Sequence, residues 1–170
     1  QSPKVVLIHG AAGSGKSGVL YELTNLLSEA GYCAVPLRLD NALPDGGSLL
    51  RYSREQLGLP DTPDRCAAKL AGGKRAVVIV DHLDAVRWGN VHSNPAWDVT
   101  VQLLEAVIRS ANVSLVVACR TFDIKDDPNL RKWKDSQDIQ HRLQEVEIPP
   151  LDVAQVEAAL RAANYAVPGT

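Results

Sequence analysis

Eight consecutive residues concentrate the chemistry of this chain. Gly10-Ala11-Ala12-Gly13-Ser14-Gly15-Lys16-Ser17 fits the pattern G-x-x-x-x-G-K-[ST] at every fixed position. Glycines at such spacing let a short backbone segment curl until several N–H groups point at one anion. Lys16 adds a point charge for β- and γ-phosphate oxygens, and the Ser17 hydroxyl offers a hard oxygen ligand to Mg²⁺. With Gly18 included, the residues expected to bind a nucleotide are Gly10, Ala11, Ala12, Gly13, Ser14, Gly15, Lys16, Ser17 and Gly18.

Two more runs end in residues that suit the same chemistry. Val77-Val78-Ile79-Val80 is followed by Asp81-His82-Leu83-Asp84. A buried strand ending in a carboxylate presents that group at the edge of a sheet, so Asp81 is expected to hold Mg²⁺ beside Ser17, directly or through water. Asp84 is the candidate for orienting or deprotonating an attacking water; the plainer alternative is a solvated loop acid. His82, between the two acids, reads as a packed or hydrogen-bonded loop residue. Leu115-Val116-Val117-Ala118-Cys119 ends in Arg120-Thr121. Arg120 is placed to sense a γ-phosphate, or alternatively to pair with the acidic cluster Asp123, Asp126 and Asp127. The expected catalytic set is therefore Lys16, Asp84 and Arg120, and the expected metal ligands are Ser17 and Asp81.

These residues need elements that bring them to one place. Lys4-Val5-Val6-Leu7-Ile8 is an apolar, β-branched run that stops at Gly10, as a buried parallel strand would. Val19, Leu20, Leu23, Leu26 and Leu27 follow Ser17 with helical spacing, and the pattern ends near Gly31. Further strands are expected over 33–39, 76–80, 114–118 and, more weakly, 146–148. Helices are expected over 48–57, 65–71, 95–110 and 128–136, and over 153–163 with Asp152 as its cap. Alternation of this kind predicts an α/β fold of three layers, with a mostly parallel five-stranded sheet and helices on both faces. Ligands of such sheets sit beyond the carboxyl ends of the strands, so the last residue of each strand is where chemistry belongs.

Composition narrows the classes of function. The chain has 170 residues, 45% hydrophobic and 22% charged, with a net charge of −2. That balance offers no general attraction to nucleic acid or to an anionic membrane, so direct binding of either is not expected. No apolar run reaches the length of a membrane span, and no signal-peptide pattern opens the chain. Cys33, Cys66 and Cys119 are widely spaced and form no metal-ligand pattern, which fits reduced thiols of a cytoplasmic protein. The sequence has no methionine and begins only a few residues before its first strand. We therefore expect residues 1–170 to form one nucleotide-binding domain excised from a longer protein.

Taken together, the three runs resemble the STAND class of P-loop ATPases, and within it the NACHT group. Asp81-His82-Leu83-Asp84-Ala85 is similar to that group's D-G-x-D-E, and Cys119-Arg120-Thr121 to its strand-end T-S-R, whose arginine acts as a first sensor. The segment from Glu147 through Pro149-Pro150-Leu151 to Val156 is similar to the group's hydrophobic-Pro-Leu stretch. The resemblance implies a regulatory ATPase that binds ATP or ADP with Mg²⁺ and uses nucleotide state as a switch. It also implies effector and sensor domains in the same longer chain, a homo-oligomer on activation, and, for bacterial relatives, defence against phage. Two positions depart from the pattern. His82 replaces a small residue, and Ala85 stands in place of the second acid, which leaves Asp84 as the sole candidate base and implies slow hydrolysis.

Other stretches carry weaker signals. The connection 86–97 holds Trp88 and Trp97, which either mark a partner surface or pack on the domain's own helices. Arg131-Lys132-Trp133-Lys134 reads as a solvated helix face rather than a nucleic-acid contact. Arg51 and Arg54 are candidate trans-acting fingers in an oligomer. The rival function is a small-molecule phosphotransferase using the same loop, but the stretch 123–142 lacks the arginine cluster of a kinase lid. A GTPase is disfavoured because no N-K-x-D motif follows a strand; Ile124-Lys125-Asp126-Asp127 lacks the asparagine.

Overall fold

Three strands built almost wholly of apolar residues form the middle of the molecule: β1 (Val5–Gly10), β3 (Ala76–Asp81) and β4 (Val113–Arg120). Strands without a polar face must be covered on both sides, and the remaining elements do this. The computed structural model describes residues 4–42, 44–86, 95–150 and 152–162. After β1 come α1 (Lys16–Glu29), β2 (Cys33–Arg38), α2 (Leu49–Glu55) and α3 (Pro63–Leu70). A 3₁₀ turn, Leu83–Ala85, follows β3, and α4 (Pro95–Arg109) leads into β4. The chain closes with α5 (Thr121–Asp126), α6 (Pro128–Lys134), α7 (Gln137–Gln140), β5 (Leu143–Ile148) and α8 (Val153–Ala162).

The strands lie in the order β2-β3-β4-β1-β5, and every pairing is parallel. The expected sheet was mostly parallel; the observed one is wholly so. Alternate residues of each strand feed opposite layers. On one face, Leu7, Val78, Val80, Leu115 and Val117 join Leu103, Leu104 and Val107 of α4 in the larger core. On the other, Ile8, Val77, Ile79, Val116 and Ala118 meet Leu20, with Leu23 and Leu27 packed alongside. Each fully buried side chain of this size contributes roughly 1.5–3 kcal/mol of transfer free energy.

Two expected faces need correction. Val19 and Leu26 belong to the apolar pattern of α1, yet they are 44% and 60% exposed. Only the row Leu20, Leu23, Leu27 reaches the sheet, because a single helix covering a narrow layer uses one row of its apolar stripe. The basic stretch 131–134 is likewise not wholly solvated, since Trp133 is buried in the larger core. Trp97 packs against that core as well. Trp88 and the connection 87–94 lie outside the described residues, as does the end of the expected last helix beyond 162. The expected cap Asp152 is present, its Oδ1 accepting from Gln155 N at 2.7 Å, and Ser48, expected inside its helix, instead caps α2, its Oγ accepting from Arg51 N at 3.2 Å. Among the described residues no helix is long and apolar enough to cross a membrane.

Candidate functional site

The loop between β1 and α1 is shaped by two kinds of glycine. Gly13 and Gly15 take φ of 76° and 87°, the left-handed region that a side chain disfavours, and Gly15 is the residue from which α1 starts. Gly10 is needed for space: a Cβ there would lie 2.6 Å from the carbonyl oxygen of Ile148 and 2.6 Å from Ser14 Oγ. Helix geometry leaves the N–H groups of the first turn of α1 without intrahelical partners. Together with the positive end of the helix dipole they make this loop suited to an anion. Lys16 Nζ donates to the carbonyls of Gly10 (3.1 Å) and Ala11 (2.7 Å), which sets the ammonium on the loop itself.

The sheet then delivers the other groups. Register pairs Gly10 with Arg120 across β1 and β4, so Arg120 emerges beside the loop. Asp81 ends β3, the next strand over. A cavity of about 350 Å³ is lined by Ala12, Gly13, Gly15, Lys16, Ser17, Gly18, Asp81, His82, Asp84 and Arg120. Lys16, Ser17, Asp81, Asp84 and Arg120 thus face one space, while Gly10, Ala11 and Ser14, also expected to bind, are not among its lining residues. Ser14 Oγ is buried there without a hydrogen-bond partner.

Pairing within the cavity differs from the plain alternatives read in the sequence. Asp84 is no solvated loop acid: its side chain is only 9% exposed, and its Oδ2 lies 2.9 Å from Arg120 Nε. Arg120 itself is about half exposed and follows Cys119, whose thiol is pushed up in pKa chiefly by burial and then by the charges of Asp84 and Asp123. Of the acidic cluster, Asp127 caps α6, accepting from Asn129 N and Leu130 N at 2.8 and 3.0 Å. Arg51 is engaged by Glu55 at 2.9 Å, and Arg54 Nε donates to the Pro60 carbonyl at 3.3 Å. Thr121 Oγ1, just after Arg120, is tied back to β1 through His9 Nδ1 at 3.0 Å.

The reading of His82 as a packed or hydrogen-bonded loop residue holds, while Asp40, beside it, was not singled out by the sequence. His82 has φ of 57°, the sole positive φ outside glycine among the described residues. Its Nε2 lies 3.4 Å from Ser17 Oγ, 3.6 Å from Asp81 Oδ2 and 3.9 Å from Asp40 Oδ2. Asp40 follows the end of β2 and is held by a two-pronged bond from Arg38, at 2.7 and 3.2 Å. That bond holds the Asp40 carboxyl below its ordinary pKa. The signal was present, since Arg38 and Asp40 close a strand as Asp81 and Arg120 do.

Hard oxygens from Ser17 and Asp81, turned toward a common neighbour, fit the donor set of Mg²⁺. Among the described residues no group of three His, Cys, Asp or Glu side chains is arranged to hold a metal alone. A divalent ion here would need phosphate oxygens or water to complete its shell, as Mg²⁺ at nucleotide sites does.

The site and sheet together define a protein of the P-loop NTPase fold. The structure is similar to a Walker-type ATPase of Pyrococcus abyssi, with a TM-score of 0.62 and 14% identity over 98% of this chain and 55% of that one. It is similar to AMPPCP-bound DnaA from Aquifex aeolicus, with a TM-score of 0.58 and 16% identity over 98% of this chain and 47% of that one. A third similar structure is the ORC2 protein of Aeropyrum pernix, solved in ADPNP–ADP complexes, with a TM-score of 0.58 and 14% identity over 94% of this chain and 45% of that one. This chain spans about half the length of these solved structures. At such identities the likeness concerns the fold, and the group within the fold is a separate matter. No protein-family model matches the sequence, and no curated protein matches it as a relative.

Proposed function

We propose that this chain binds ATP with Mg²⁺, hydrolyses it slowly, and serves as the nucleotide switch of a STAND-type, NACHT-like regulatory protein. One observation carries the reading: Lys16, Ser17, Asp81, Asp84 and Arg120, from three separate stretches of chain, line one cavity beside a glycine loop at a helix start. In this reading the loop amides and Lys16 grip the β- and γ-phosphates, and Ser17 and Asp81 hold the metal. Bound Mg²⁺ supplies charge neutralisation at the phosphate oxygens.

Asp84 and Arg120 give the switch its character. A carboxylate whose charge is already engaged by a guanidinium 2.9 Å away is a weak base toward water. Arg120 is half exposed and free to lean toward a γ-phosphate, and in doing so it releases Asp84 to accept a proton from water. One arginine then reads the third phosphate and times hydrolysis. Slow turnover and a long-lived bound state follow, which suits a signal better than metabolism. The resemblance in sequence supports placing this core between effector and sensor domains of a longer cytoplasmic chain. We extend the proposal to assembly into a homo-oligomer on activation and to defence against phage.

The deciding experiment identifies nucleotide in protein purified without added ligand, alongside thermal stabilisation by ATP–Mg²⁺ and GTP–Mg²⁺. Co-purified ADP and stabilisation by the adenine nucleotide are the expected results. Protein that carries no nucleotide and is stabilised by neither would overturn the proposal.

A further inference from the structure

His82 occupies a peculiar position. Its ring nitrogen sits where three oxygens meet, those of Ser17, Asp81 and Asp40, at 3.4, 3.6 and 3.9 Å. Two of these belong to the residues that hold the cation in the reading above. His82 also engages Asp81 through its own backbone, since its N–H donates to Asp81 Oδ1 at 2.8 Å. Asp81 Oδ2, the oxygen left for a cation, is therefore the one that faces the imidazole. On the far side, Arg38 fixes Asp40 and so closes the third wall. The backbone at His82 is left-handed, a region that residues with a side chain enter less readily than glycine. From that backbone the ring comes to stand between Ser17 Oγ and Asp81 Oδ2.

We propose that His82 is an internal competitor of the divalent cation: its imidazole and the metal use the same oxygens of Ser17 and Asp81, so the metal enters only as the ring swings away. This inference rests on the nucleotide reading above. It makes His82 the residue that sets how much divalent ion the site demands. The competition follows from occupied space and shared oxygens, and it places His82 outside the metal's ligand set.

The test uses Mn²⁺ as the probe and ADP at saturation, with free Mn²⁺ counted by electron paramagnetic resonance. His82→Gly removes the ring and suits φ of 57°; His82→Asn also tolerates that φ and shortens the reach, so one folded variant suffices. Either variant should lower the Mn²⁺ half-saturation concentration by about fivefold, the ratio that one net hydrogen bond is worth. An unchanged half-saturation overturns the competition, and a raised one overturns it by showing that the imidazole ligates the metal. If wild-type protein binds ADP neither with Mn²⁺ nor in EDTA, the nucleotide reading fails and this inference fails with it. If it binds ADP and the variants do not shift the metal requirement, this inference alone is lost.

Discussion

Two cavities at opposite ends of the strands make an instructive pair. The cavity proposed to hold nucleotide lies beyond the carboxyl ends, where β1, β3 and β4 finish. The other, a shallower groove of about 490 Å³, is lined by Leu50, Asp61, Thr62, Asp64, Arg65, Ala106, Arg109 and Ser110. It reaches the amino edge of the sheet, where Lys4, just before β1, donates Nζ to the Ser110 carbonyl at 2.6 Å. The groove is the larger of the two, yet its charges pair mostly with neighbours in sequence. Arg65 meets Asp61 at 3.6 Å and Arg109 meets Glu105 at 3.2 Å, each four residues apart on the chain. In the smaller cavity the partners are remote: Arg120 with Asp84, and His82 with Ser17 and Asp40. Locally paired charges are ordinary helix surface. Charges gathered from distant strands into one hollow require the whole fold to hold them, and the proposed function places its working end there.

Perturbing each end separately tests this contrast. The largest effect is expected from Lys16→Ala. At nucleotide about 100-fold above Kd, ligand stabilises a protein by about 2.7 kcal/mol, or roughly 5–10 °C for a chain of this length. Scanning fluorimetry with ATP–Mg²⁺ should show that gain in the wild type and none in the variant; an equal shift in both would move the anion site elsewhere. Next comes Asp84→Asn, which should keep nucleotide binding but slow phosphate release by about 100-fold. Unaltered turnover would return Asp84 to the role of a partner that merely orders Arg120.

At the other end, Ser110→Ala deletes the Oγ donor that meets Asp64 Oδ2 at 3.0 Å and leaves a buried carboxylate short of a partner. Asp64 Oδ1 already lacks one. The expected cost is about 1–3 kcal/mol of stability by urea denaturation, with nucleotide affinity unmoved. A loss of affinity from that distance would mean that the two ends are coupled.

The smallest effect concerns Arg38 and Asp40. Because Arg38 lowers the folded pKa of Asp40 below its unfolded value of 3.8, the stabilisation is present above that value and fades as pH falls through the folded pKa. Arg38→Ala should therefore melt slightly lower than wild type at neutral pH, and the two melting curves should converge in acid. Curves that stay parallel down to the acid limit would assign the pair no electrostatic part.

Much of the working end was legible before any coordinates, because its pieces are local. The β1–loop–α1 unit announces itself through glycine, lysine and serine at fixed spacing within a strand–helix context. Asp81 and Arg120 follow from the rule that parallel strands present their last residues at the ligand edge. The same rule applied to β2 points to Arg38 and Asp40, whose charges lack the context of a known motif. His82 reads as an ordinary loop residue until its backbone is seen to be left-handed. The over-wide apolar face of α1 shows the limit of periodicity, which tells which residues can be buried and not how much sheet there is to bury them against.

The amino-acid sequence by itself determined the class of fold, the strand ends and the glycine-loop motif, because these rest on propensity, alternation and a contiguous pattern of residues. Only the tertiary structure decided that β1 lies between β4 and β5, that Asp84 is held by Arg120, and that the His82 ring stands between Ser17 and Asp81. The physical reason is that strand order and side-chain pairing are settled by packing between segments far apart in the chain, and no local pattern of residues encodes which distant oxygen a nitrogen will meet.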